Sequence, residues 1–524
     1  MNSNTGTALG SDGTLSHDLA LGIDVGTTSV KTAVFTAGGT LLRAYASSHP
    51  TSRPRPGHAE QDPADWWDSC LRGIATVLDG VPTGAVRSVG VVSQVNTHVF
   101  TDSRLRPLAP AITWQDQRCA GVARQLDGRF TAEEKIRIFG GPITLDASRL
   151  VSRAAWFADH HPDLWARTRW VLSPKDWVNA RLTGEVTTDG LSSIGMVNGA
   201  GDQYVPAAVS LVDGLAERLP PLADPAAPVG PVTAPVPHIG AATAVTGTMD
   251  AFGTVFGSGT TEPGRALLSC GTSLVVAGAS RQSCPNRGVV TFPPVHGLYL
   301  HGGPTQAGGD ALTWWSRTRS MNVPDVLTTA ATAPPGSSGV VFTPHLLGER
   351  APLWDPAVRG TFLGLSAAST SADLARAVLE GVAMSGRQVL TAVEAACGAR
   401  LDTLTLSGGG SRSDLWAQIF ADVLRRPVAR LAARDNAAVL GAALLGAVGA
   451  GFHPDITTAA RTAATVDRVF TPEPARAELL DPLYAVYTTS YEALRDIHTH
   501  LDTWRTAQAV IHCQATGHES SPNR

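Results

Sequence analysis

Residues 19–36 read LALGIDVGTTSVKTAVFT: an apolar run ending on Asp24, a Gly-Thr-Thr-Ser turn, then a second half-apolar run. That order predicts two strands joined by a loop of about the size of a phosphate group. Glycine, threonine and serine leave backbone N–H groups unhindered and add hydroxyl donors, the materials of an anion-binding nest. About 245 residues later, RALLSCGTSLVVAGAS from Arg265 repeats the strand, Gly-Thr-Ser turn and strand. Two copies of one turn chemistry predict two related lobes, each offering a loop to the same ligand; a chance recurrence of turn residues is the alternative for either loop alone.

The length of 524 residues allows two to four domains at about 150 residues each, with ample material for buried cores. A net charge of -4 argues against a basic nucleic-acid footprint. The six cysteines are scattered, without Cys-x-x-Cys or Cys/His spacing of the zinc-site kind, and read as free thiols of a cytoplasmic protein. Residues 1–18 lack a basic start and an apolar centre, and read as a disordered leader. The uncharged stretch AAVLGAALLGAVGAGF from Ala437 is shorter than the roughly 20 residues a spanning helix needs, and reads as a buried helix.

LLRAYAS adds a third antiparallel strand after the opening hairpin, DPADWWDSCLRGIATVL has the start signal and spacing of an amphipathic helix, and VRSVGVVSQ returns to strand. The Pro/Ala-rich stretch between Pro220 and Gly240 reads as a loop-rich connection before the second unit. The expected division is a first lobe over 19–257, a second over 258–503 and a frayed polar tail over 504–524.

No lysine follows a glycine, which removes the Walker A loop, and no His-Arg-Asp loop occurs. Nucleotide would therefore be held by another architecture. Asp24 would lie beside the phosphates and be repelled unless Mg²⁺ lay between them; otherwise it is a turn former. TLSGGGSRSDLWAQIFADVL from Thr405 is a strand, a triple-glycine corner and a capped helix, where bare backbone would let an adenine ring approach.

With these stretches in view, the sequence resembles the FGGY carbohydrate kinases from about Leu19 to about Gly449. The likeness rests on GIDVGTTS, LSCGTS and LSGGGSRSDLW, on ITWQDQR at Ile112, VLSPKDWVNARLTGEVTTD at Val171, TGTMDAFG at Thr246 and LLGERAPLWDPAVRGTFLGLS at Leu346. GTFLGLSAASTSADLARAVLE from Gly360 fits the family's second signature, whereas the first has Arg153 where lysine is usual.

The resemblance implies an α/β, two-lobed actin/hexokinase-type fold, a duplicated ribonuclease-H-like core with the active site in the interlobe cleft. It implies transfer of the γ-phosphoryl group of ATP, with Mg²⁺, to a hydroxyl of an open-chain sugar, polyol or sugar acid. A charge-rich phosphoryl transition state gains most from positioning and donors. Gly26, Thr27 and Thr28 in one lobe, with Gly271, Thr272 and Ser273 in the other, are then the phosphate clamps. Gly408, Gly409 and Ser413 would meet the adenine. Asp250 would take the proton of the attacking hydroxyl, and Asp24 and Asp250 would hold the metal.

VVSQVNTHVFTD from Val91 corresponds to the family's substrate loop. Glycerol kinases have Arg-Glu at the places of Val95 and Asn96 and xylulokinases have Met-His; loss of the charged pair argues against glycerol. Gln94, Asn96, Trp114, Asp116 and Asp250 are the pocket candidates, with His98 a weaker one and Asp116 open to pairing with Arg118 as scaffold. The layout is closest to xylulokinases and gluconokinases, which points to a pentulose such as D-xylulose; gluconate, another ketose, a polyol or a cyclitol stay open. The expected partner is a small sugar, neither nucleic acid nor membrane, and a homodimer is compatible with the sequence. The rival reading is an actin-like nucleotide-binding chaperone or sugar sensor without transfer chemistry.

Overall fold

In the computed structural model, residues 18–515 are described apart from positions 142, 285, 287, 433 and 434. The expected leader, apart from Asp18, and positions 516–524 of the tail lie outside the described residues.

Two sheets organise the chain. In the first, strands Leu41–Ser48, Ser29–Thr36, Leu19–Val25, Val86–Ser93 and Thr243–Val245 lie side by side, and Pro228–Pro231 adds an edge. In the second, Tyr299–Pro304, Leu274–Ser280, Arg265–Cys270, Thr403–Ser407 and Val428–Leu431 follow one another, flanked by Val290–Thr291 and Val466–Phe470. Counting the five central strands in chain order within each lobe, both sheets run 3-2-1-4-5. Both have an antiparallel meander on one side of the first strand and a parallel strand on the other. The duplication suggested by the two Gly-Thr hairpins is thus present in the topology of whole lobes.

Local sequence explains the elements that carry the cleft. Leu19, Leu21, Ile23 and Val25 are buried, and every intervening residue is small or belongs to the cleft, as a strand covered on both faces requires. Asp62 caps the helix Pro63–Val77 by accepting from Ala64 N–H at 2.9 Å, and Trp66, Cys70, Ile74 and Val77 form its buried face. The 27-residue helix Ser371–Cys397, opened by a Thr370/Asp373 capping box, is the spine of the second lobe.

The helix Ala437–Gly449 joins the two halves. In sequence it lies between two strands of the second sheet, Val428–Leu431 and Val466–Phe470, yet it packs on strands Leu19–Val25 and Val86–Ser93 and on the helix Asp250–Gly257 of the first lobe. Glycine makes that approach possible: a Cβ at Gly22 would stand 2.1 Å from the Val439 carbonyl oxygen, and one at Gly90 1.8 Å from that of Ala442.

Two expectations need correction. The Pro220–Gly240 stretch does not connect lobes, because Pro228–Pro231 pairs antiparallel with Thr243–Val245 as the edge of the first sheet, where proline's missing N–H costs no ladder bond. The tail does not begin at residue 504 either, since the helix Pro474–Ala515 runs through that point. An established helix extends at little cost per residue, so polar composition alone did not end it.

Candidate active site

The strands Leu19–Val25, Val86–Ser93 and Thr248–Met249 run parallel, with Val25 and Met249 both beside Ser93. Their carboxyl ends therefore open on one crevice, the usual place for a ligand in an α/β sheet. Asp24 sits at the end of the first strand, Gln94 and Asn96 follow the second, and Asp250 follows the third as the first residue of the helix Asp250–Gly257.

Both aspartates are half-buried. Burial pushes Asp24 up to about 6, against a downward pull from Lys31, its cross-strand neighbour. Burial, then the Asp24 charge, pushes Asp250 up to about 7, while the Ala251 N–H donated at 2.7 Å pulls it down. The two aspartates thus feel each other across one crevice. Asp24 Oδ1 is buried without any hydrogen-bond partner. An orphaned carboxylate oxygen beside a second carboxyl is a donor set that suits a hard divalent cation.

Beside the pair is a cavity of about 250 Å³ lined by Asp24, Lys31, Thr254, Ser407, Gly409 and the amino-terminal residues of the helix Ala437–Gly449. That helix and Asp250–Gly257 bring two positive dipole ends to the crevice. Lys31 donates to the Asp435 carbonyl, which links the lobes across the cavity mouth, and Ser407 Oγ is buried without a partner. A second cavity of about 590 Å³ meets the first at Gly409. Gly271, Thr272, Gly409 and Ser413 edge it, and Leu312, Val323 and Leu327 give it apolar walls. An apolar slot leading to a polar, helix-capped chamber has the order of a purine followed by its phosphates.

Both Gly-Thr hairpins are closed by their own backbone, and the second edges this groove. Gly26 N–H donates to Ser29 O at 3.1 Å and Gly271 N–H to Ser273 O at 3.0 Å. In the first, Gln61 Nε2 donates to Thr27 O at 2.7 Å, His49 N–H to Thr28 O at 3.2 Å, and Trp114 Nε1 to Thr27 Oγ1 at 3.0 Å. In the second, Gly309 N–H and Asp310 N–H tie the hairpin to a helix start through Gly271 O and Thr272 O. At Gly408, φ is 80° and a Cβ would meet Cys270 O at 2.7 Å, so the corner between strand and apolar slot requires glycine.

The sugar-side candidates divide. Gln94 is buried, donates to Gln61 Oε1 at 2.8 Å and keeps its own Oε1 unpartnered. Asn96 is half-buried with φ 53°, and Trp114 is 39% exposed at the rim. Asp116 is withdrawn from that group: its carboxylate is fully buried, accepts Ala59 N–H at 2.6 Å and is gripped by Arg118 at 2.7 Å. Burial pushes its carboxyl up, but those bonds together outweigh it and hold the group below its ordinary value, and they make it scaffold. His98 is buried and kept neutral by burial and by Arg153 and Arg149, so it too is part of the wall. Arg153, the departure from the first signature, is buried and donates to the carbonyls of Ile112, Thr113 and Ala147. It thereby anchors the segment that carries Trp114.

Lys31, Ser407 and Thr254 were not singled out by sequence reading. Lys31 had a signal: one of three lysines, it stands opposite Asp24 once the hairpin is drawn in register. Ser407 and Thr254 carried none.

Two sheets of one topology, a groove shared between them and an aspartate pair under a Gly-Thr hairpin define a two-lobed phosphotransferase. The FGGY family of carbohydrate kinases, N-terminal domain, matches residues 19–257, and its C-terminal domain matches residues 266–450. The chain belongs to the FGGY family of carbohydrate kinases. It is similar to a xylulose kinase of Staphylococcus epidermidis, 29% identical over 506 residues that cover 93% of this chain and 99% of the relative. A gluconokinase of Bacillus subtilis is 27% identical, covering 82% of this chain and 87% of that one. The crystal structure of a xyloylose kinase from Brucella ovis superposes with a TM-score of 0.83 at 29% identity, covering 91% of this chain and all of that one. The protein is accordingly an ATP-dependent sugar kinase, and the actin-like chaperone or sensor reading is set aside. Among the described residues no helix is long and apolar enough to cross a membrane.

Proposed function

We propose that the chain transfers the γ-phosphoryl group of ATP to a hydroxyl of a pentulose such as D-xylulose, with Asp250 as the general base. The observation that carries the assignment is the placement of Asp24 and Asp250 at the ends of the two parallel strands that flank Val86–Ser93, with Asp24 lining a cavity capped by the amino terminus of the helix Ala437–Gly449. A carboxyl whose proton leaves near pH 7 is matched to drawing a proton from an alcohol at neutral pH. Adenine takes the apolar slot at Gly408, Gly409 and Ser413, while Gly26, Thr27 and Thr28 and, from the other lobe, Gly271, Thr272 and Ser273 grip the phosphates. Lys31 adds a cation at the phosphate chamber. Asp24, with Asp250 beside it, would hold Mg²⁺, which when bound offsets the charge of the phosphate oxygens. Gln94, Asn96 and Trp114 frame the sugar.

A pentulose is favoured because the similarity to xylulose kinases spans nearly the whole length. Gluconate is the second reading, on the likeness to a gluconokinase. The reaction belongs in the cytoplasm, where the buried free thiols Cys70, Cys119, Cys270 and Cys397 stay reduced. A coupled assay of ADP release across pentuloses, hexuloses, aldonates, polyols and cyclitols, with the product identified by phosphorus NMR, tests the assignment. Fastest turnover with a pentulose is expected, and turnover confined to an aldonate or a cyclitol refutes it.

A further inference from the structure

Asn96 is held in one orientation by a neighbour that sequence reading did not select. Its Nδ2 lies 3.1 Å from Ser148 Oγ, and Ser148 Oγ lies 2.6 Å from Asp146 Oδ1, which also accepts the Ser148 backbone N–H at 2.7 Å. The proton inventory settles the direction of these bonds. An ionised carboxylate only accepts, so the single Ser148 hydroxyl proton goes to Asp146. Toward Asn96 the hydroxyl then has only lone pairs, and Asn96 must present its NH₂ to it. The amide carbonyl Oδ1 is turned the other way. The backbone at Asn96, φ 53°, is one that asparagine tolerates better than most residues, so the segment is set to hold this side chain.

We infer that Ser148 is a positioning residue that fixes Asn96 with its carbonyl toward the acceptor sugar, so that this end of the pocket takes a hydroxyl and rejects a carboxylate. The inference rests on the reading of Asn96 as part of the sugar site. An acceptor facing the ligand welcomes the O–H of a ketose or polyol. A carboxylate at the same place has no proton to give, and two acceptors would face each other with Asp146 close behind. Arg149, the cation on the same turn, does not reverse that preference. It donates to Thr144 O at 3.2 Å and Ile194 O at 3.5 Å and stands 3.8 Å from Asp146 Oδ2, which already shares its charge.

The test compares steady-state kinetics with D-xylulose and D-gluconate for the full-length enzyme and the variants Ser148→Ala, Ser148→Thr and Asn96→Ala. The wild-type kcat/KM should favour the ketose by at least about 100-fold. In Ser148→Ala the amide can turn over, so KM for D-xylulose should rise about fivefold with kcat within twofold, and the preference over gluconate should narrow. Ser148→Thr, which keeps the hydroxyl, should restore wild-type values. If Asn96→Ala raises the sugar KM while Ser148→Ala leaves both KM and the ketose preference unchanged, the positioning role is overturned and the sugar site stands. If neither variant moves the sugar KM, the placement of Asn96 in the sugar site is itself wrong. A wild-type preference for gluconate overturns the inference directly.

Discussion

Replacing Asp250 by asparagine should lower activity and raise stability together. In an unfolded chain this carboxyl loses its proton near 3.8, whereas in the fold it keeps it to about 7. Between those values the folded state holds one proton more than the unfolded state, so stability falls as pH rises through the window and the whole penalty is present above pH 7. A displacement of about three pH units corresponds to about 4 kcal/mol. Asparagine carries no charge and escapes the penalty, although an incompletely paired buried amide costs about 1–3 kcal/mol. The net expectation is a gain of about 1–3 kcal/mol at pH 8 that reverses to a loss of about 1–3 kcal/mol near pH 4, where only the amide cost remains. Turnover, in contrast, should fall about 10²- to 10⁴-fold with the loss of the proposed base. Nucleotide affinity should hold, because the slot at Gly409 and Ser413 is untouched. Coupled ADP release, nucleotide titration and denaturant unfolding at pH 4 and pH 8 read the three quantities. Turnover within tenfold of wild type, or a variant less stable than wild type at pH 8, would refute the reasoning.

Asp24→Asn should raise the Mg²⁺ concentration needed for half-maximal activity by at least about tenfold, since it removes one charged donor from the proposed metal pair; an unchanged Mg²⁺ titration removes Asp24 from that role. Gly90→Ala should fail to fold or lose most of its activity, because the added carbon lands 1.8 Å from Ala442 O in the helix that joins the lobes; circular dichroism melts and activity together check it. Arg153→Lys should cost about 2–4 kcal/mol, since lysine cannot reach the Ile112, Thr113 and Ala147 carbonyls at once, and urea unfolding measures it.

The parts of this architecture that were legible in the sequence are those whose cause is local. The two hairpins announce themselves because a Gly-Thr turn between apolar runs has few other uses, and the Ser413 cap and its helix follow the same logic. Asp250 was found only through the family motif around it, since a lone aspartate near a glycine has many ordinary roles. The helix Ala437–Gly449 was readable as buried, but not as the piece that crosses to the other sheet, because that depends on glycines 350 or more residues away, at Gly22 and Gly90. Asp116 could not be divided between sugar ligand and scaffold from sequence, as the choice turns on whether Arg118 folds back upon it. Ser148 gave no signal, for its effect runs through the orientation of another side chain.

The account is tested most directly by a crystal structure with D-xylulose, Mg²⁺ and a non-hydrolysable ATP analogue bound together. It predicts one sugar hydroxyl within hydrogen-bond reach of Asp250, about 2.6–3.2 Å, and in line with the terminal phosphate, with Asp24 turned to the metal. A sugar bound beyond reach of Asp250, or a triphosphate lying outside the groove between the two Gly-Thr hairpins, would contradict it.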